Sequence, residues 1–75
     1  MMIVLHRIDP RRNMARFYAL SIERNLLGEW SLVRNYGRIG RRGVFRLDIC
    51  GSRADAYAAA RRLAQRKALK GYVPA

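Results

Sequence analysis

Acidic residues are scarce in this chain: five Asp and Glu stand against sixteen Lys and Arg. They are scattered over predicted strands and caps without forming a pair, which removes the two-carboxylate arrangement that general acid–base hydrolysis requires. There is one cysteine, Cys50, and one histidine, His6. A single thiol allows no intramolecular disulfide, and one His with one Cys does not supply the ligands of a structural metal site. The same shortage leaves no triad and only a remote Cys-His dyad for nucleophilic catalysis. No cofactor is called for. Long hydrophobic runs are missing too, since the apolar stretch Met1 to Leu5 is too short for a signal sequence or a membrane span. A soluble, cytoplasmic protein without a membrane partner is expected. No internal repeat, low-complexity segment or linker interrupts the 75 residues, so a single domain over 1–75 is expected.

What is present in excess is arginine. Fourteen Arg and two Lys give a formal net charge of +11, while 51 % of the residues are hydrophobic, as in a folded domain rather than a disordered tail. Such an excess repels itself when compact and points to a polyanionic partner, nucleic acid first. Guanidinium forks suit bidentate contact with phosphate or guanine, although a GC-rich genome also enriches arginine.

The order of elements is legible from periodicity. Ile3 to Ile8 is rich in β-branched residues and closes at Asp9-Pro10, as a short strand does. Arg16 to Arg24 alternates, with Tyr18, Leu20 and Ile22 on one face and Phe17, Ala19, Ser21 and Glu23 on the other. A loop over Asn25 to Glu29 leads to a strand from Trp30, which shares a face with Leu32 and is expected as a sheet-face aromatic. That strand runs through Tyr36-Gly37-Arg38 and turns at Gly40-Arg41-Arg42-Gly43. It returns over Val44 to Cys50, where Phe45, Leu47 and Ile49 are expected on the buried face and Arg46 and Asp48 on the wet one. Ser52 with Asp55 three residues later predicts a helix start, and Gly71 a stop. On that helix Ala56, Ala59, Ala60, Leu63 and Ala64 fall on one arc, with Lys67 near its centre in the last turn. The fold class that follows is α+β, a four-stranded antiparallel meander with one C-terminal helix packed on it.

The stretch Arg34-Asn35-Tyr36-Gly37-Arg38-Ile39-Gly40-Arg41-Arg42-Gly43 sets four arginines, three glycines and one aromatic into ten residues. Glycines there permit tight turning and bare N–H groups beside guanidinium, which suits phosphate. A hairpin that is basic only because the whole chain is basic explains the composition equally well. The Gly-x-x-Gly at 40–43 lies between strands, so it is neither a dinucleotide fingerprint nor a P-loop. No small-molecule substrate is evident.

Taken together, Ala15-Arg16-Phe17-Tyr18, the run Trp30 to Gly40, Ala56, Lys67 and Lys70-Gly71-Tyr72 resemble, in order and spacing, the WGR domain. This family is named for a Trp-Gly-Arg motif and occurs in DNA-dependent poly(ADP-ribose) polymerases and as small bacterial proteins. The resemblance implies a non-enzymatic module that binds nucleic acid, DNA in preference, at a strand break or end. The motif aromatic would pack near the terminal nucleotide, with the motif Arg making polar contacts. Those roles fall here to Tyr36 and Arg38 with Gly37 between them, and charge and position add Arg16, Arg41, Arg42 and Lys67 as phosphate contacts. Three departures stand out: Tyr36 for the naming Trp, Ala15 for a motif Asn, and the extra pair Arg41-Arg42. The weakened motif keeps two alternatives open, an RNA binder and an adaptor whose basic face docks an acidic protein.

Overall fold

In the computed structural model, which describes residues 1–75, four strands and a helix follow in the expected order. They are β1 (Met2–Asp9), β2 (Met14–Arg24), β3 (Trp30–Arg38), β4 (Val44–Cys50) and α1 (Arg53–Leu69). A two-residue strand, β5 (Val73–Pro74), corrects the four-stranded expectation. It lies antiparallel to β1, with His6 opposite Val73, and makes the sheet order β4-β3-β2-β1-β5. Two residues carry no periodicity, so no pattern in the sequence announces this strand.

Local chemistry sets the boundaries. The Asp9 carboxylate accepts from the Arg11 N–H at 3.2 Å, starting a single 3-10 turn over Pro10–Arg12. Asn13 ends it at φ 51°, a conformation that Asn tolerates better than most residues. Between β2 and β3 the Asn25 Oδ1 accepts from the N–H groups of Leu27 and Glu29, each at 3.0 Å. The Ser52 hydroxyl accepts from the Asp55 N–H at 3.1 Å, as the capping pattern predicts. At the other end Gly71 donates to the Ala68 carbonyl and Tyr72 to that of Lys67, a Schellman closure. This closure drops Tyr72 into the core before β5 begins.

The core is one-sided. Helix α1 lies across β2 and β3 and buries Ala56 and Ala60 completely, with Ala60 packed in a cluster with Leu5, Tyr18, Leu20, Leu32 and Tyr72. Small residues at these helix positions let the backbone sit close to the sheet, which confirms the predicted helix arc. The prediction for β4 is overturned: Phe45, Leu47 and Ile49 are 62 %, 57 % and 53 % exposed. Their register opposite Asn35, Val33 and Ser31 sets them on the side away from the helix. Alternation identifies which residues share a face, but not which face a helix will cover.

Candidate nucleic-acid interface

Strand register brings the predicted residues together. On the helix side of the sheet, Tyr18 of β2 stands directly opposite Tyr36 of β3, and one step along Arg16 stands opposite Arg38. The two tyrosine rings stack with centroids 5.4 Å apart and planes within 13°. Tyr72 meets Tyr18 edge-on at 6.4 Å. From the last turn of α1 the Lys67 Nζ reaches over these rings, 4.5 Å from the Tyr18 centroid and 5.3 Å from that of Tyr72. Such distances fall within cation–π range.

These side chains surround an open cleft of about 580 Å³, lined by Arg16, Phe17, Tyr18, Tyr36, Gly37, Arg38, Gly43, Val44, Lys67 and Tyr72. One ring face of Tyr36 is taken by Tyr18, and Tyr36 lines the cleft together with Val44, its direct neighbour on β4. Gly37 and Gly43 make the hairpin wall thin. A Cβ on Gly37 would lie 2.8 Å from the Gly43 Cα, and one on Gly43 would strike the Tyr36 carbonyl oxygen. Gly43 also has φ 77°, so two independent reasons require glycine there.

The electrostatics is cationic with little internal neutralisation. Arg38 donates to the Asn13 carbonyl from Nη1 at 3.1 Å and to its Oδ1 from Nη2 at 3.4 Å, both neutral acceptors. Neither Arg16 nor Lys67 forms an ion pair; the two pairs in the protein are Arg12–Asp9 and Arg34–Asp48. Burial lowers the Lys67 pKa below the ordinary lysine value and the nearby Lys70 charge pushes the same way, while Tyr36 opposes them and Arg16 adds the least lowering. Arg34, behind the tyrosine pair, is different: the neighbouring Tyr18 side chain, against a lowering by burial and with help from the Asp48 carboxylate 3.1 Å from Nε, raises its pKa. Arg34 is engaged inside the protein, whereas Arg16, Arg38 and Lys67 face the cleft.

Of the seven residues singled out from the sequence, Tyr36, Gly37, Arg38, Arg16 and Lys67 line this one cleft. Arg41 and Arg42 do not. They sit exposed on the hairpin tip, where Asn35 Nδ2 fastens the turn by donating to the Arg42 carbonyl at 3.1 Å. Two cleft residues, and one arginine beside the cleft row, escaped the sequence reading. Tyr18 reads as one residue of an alternating strand face and Tyr72 as part of the ending shared with the family, and their part in the cleft depends on cross-strand register and on the helix ending. Arg7 stands opposite Arg16 on β1, so that Arg7, Arg16 and Arg38 form a row across three adjacent strands. Ala15, the departure from the motif Asn, offers its carbonyl to the Ile39 N–H at 2.9 Å, and the amide that meets Arg38 comes from Asn13 instead.

No three His, Cys, Asp or Glu side chains gather to hold a metal ion, and no helix is long and apolar enough to cross a membrane. Fold and cleft together define a small α+β module with a basic, aromatic recess on the helix side of its sheet. The chain belongs to the WGR domain family, whose model matches residues 1–75. It is 43 % identical over 72 residues to the uncharacterized protein y4dW of Sinorhizobium fredii (strain NBRC 101917 / NGR234), a match covering 96 % of this chain and 35 % of that protein. The chain thus spans about a third of the relative's length. No solved structure matches it.

Proposed function

We propose that the protein is a non-enzymatic nucleic-acid-binding module that recognises DNA at strand ends or breaks through the Tyr36–Arg38 cleft. The observation that carries this reading is the juxtaposition of Arg16, Arg38 and Lys67, none of them paired with an acid, in one cleft with Tyr36. Like charges directly opposite on neighbouring strands are unfavourable. A phosphate between them reverses the sign of that interaction and makes charge-assisted hydrogen bonds. WGR family membership is consistent with nucleic-acid binding in general.

End recognition follows from the ring. An aromatic side chain can stack only on a base or sugar face left free, which a duplex interior lacks and a terminus has. Stacking of this kind contributes roughly 1 to 3 kcal/mol per base in single-strand binders. Arg41 and Arg42, outside the cleft, act as general phosphate contacts along the duplex.

The test is a competition between linear, nicked and covalently closed DNA of one sequence. Tyr36→Ala is expected to weaken binding to linear and nicked DNA by about 5- to 150-fold, the equivalent of 1 to 3 kcal/mol. It should leave the closed circle nearly unchanged. Arg42→Ala should weaken all three about equally and make the salt slope shallower by about 0.9, one phosphate contact on duplex DNA. Equal wild-type affinity for the three forms, untouched by Tyr36→Ala, would refute end recognition. A parallel arm with matched RNA duplex and with protein partners recovered after nuclease treatment separates DNA from RNA and from an acidic protein partner.

A further inference from the structure

The side of the sheet away from α1 is chemically unlike the rest of the molecule. Every strand arginine, namely Arg7, Arg16, Arg24, Arg34, Arg38 and Arg46, has the parity of the helix side. The opposite side presents Val4, Ile8, Val33, Phe45, Leu47 and Ile49, and its ionisable strand residues are His6 and Glu23. Ile8, Phe45, Leu47 and Ile49 are each more than half exposed. Ser21, Ser31 and Asn35 interrupt the patch, but a sheet face with this many exposed apolar side chains marks an interaction surface.

We infer that this face binds the same face of a second copy, so that two sheets pack into a sandwich with both basic clefts pointing outward. Charge argues for the occupant. The chain carries +11, and two copies can approach closely only through a surface free of Lys and Arg. An acidic partner, by contrast, would be drawn to the helix side. The face is also self-complementary. Glu23 and His6 lie toward opposite ends of it, and a two-fold pairing with strands running oppositely directs each Glu23 toward the His6 end of the other copy. Size permits it: the Cα extents of 44 × 23 × 15 Å describe a slab whose broad side can supply the ~800 Å² per partner of a standard interface. Just eight of 75 residues are buried in the isolated chain, and the second sheet would bury a core layer that α1 leaves open.

The inference is independent of nucleic acid and is tested without it. Sedimentation equilibrium on nucleic-acid-free protein, from micromolar to millimolar concentration, is expected to show a monomer–dimer equilibrium. Its dissociation constant should fall as NaCl is raised from about 0.1 to about 0.5 M, because screening weakens repulsion between the copies. That dependence is opposite in sign to DNA binding. Leu47→Lys, at an exposed position that leaves the core intact, should raise the dissociation constant at least about tenfold while preserving the circular dichroism spectrum and Tm of the monomer. Arg61→Glu, on the far side of the helix, should leave the dimer in place. A chain that stays monomeric at every concentration and salt, or a dimer indifferent to Leu47→Lys, overturns the proposal.

Discussion

In the proposed reading, Lys67 is a residue that would serve binding at the expense of stability. Burial against the tyrosines lowers its pKa from the ordinary lysine value, so the unfolded chain holds this proton more tightly than the folded one. Between the lowered value and the ordinary one the unfolded state binds more protons, and stability therefore rises with pH across that window. Below that window the desolvated ammonium weighs against folding. Lys67→Met, which keeps the stem's packing, is thus expected to raise Tm at pH 7 and to remove the rise in alkali. Its duplex affinity should drop, with a salt slope shallower by about 0.9. Thermal melts at neutral and alkaline pH, together with a salt titration, check both halves; a lower Tm at pH 7 would show that the cation–π contacts outweigh burial. This residue also marks the limit of what the sequence disclosed. Its place on the helix arc was legible, but the rings under its ammonium come from β2 and from a residue beyond the helix, and no local pattern joins them.

At the scale of elements, the β3–β4 hairpin depends on two glycines of different kinds. Gly40 and Gly43 both have positive φ, 91° and 77°. A methyl group at 40 meets nothing within 4 Å, whereas at 43 it meets the Tyr36 carbonyl and comes 2.8 Å from Phe17 Cζ. Gly40→Ala is therefore expected to lose about 1 to 2 kcal/mol of stability from backbone strain alone. Gly43→Ala should lose distinctly more and should disturb the ring of Tyr36 as well. Urea denaturation of the two variants separates these costs, and equal losses would show that the contact of residue 43 with the Tyr36 carbonyl adds nothing to the backbone strain. Alternation and turn residues made the four long strands and the helix readable in advance, down to Ser52 and Gly71 as its ends. What stayed hidden was β5, too short to have a period, and the side of β4 that the helix leaves bare, which only the crossing of α1 over β2 and β3 decides. Arg7 was missed for a related reason: its strand reads as generic, and its value lies in register with Arg16.

For the molecule as a whole, charge and core pull against each other. A net charge of +11 surrounds a core of seven buried apolar residues and one serine. Screening that charge should stabilise the fold by on the order of 1 kcal/mol, or about 4 to 8 °C in Tm for a domain of this size. Calorimetry from low to moderate NaCl, at a protein concentration dilute enough to keep the chain monomeric, reads this directly; a flat profile would show that the arginines are too well solvated to repel. The sorting of all strand arginines onto one side has a further consequence, for the path by which a partner is met. A positive charge displaced to one side of a slab is an electric dipole, and in the field of a polyanion it turns the molecule so that the cleft leads. Fewer collisions are then wasted on the wrong orientation, and the gain appears in the association rate rather than in the lifetime of the complex. In a back-to-back pair the two dipoles cancel and nothing needs to turn, because whichever broad side strikes first is a cleft.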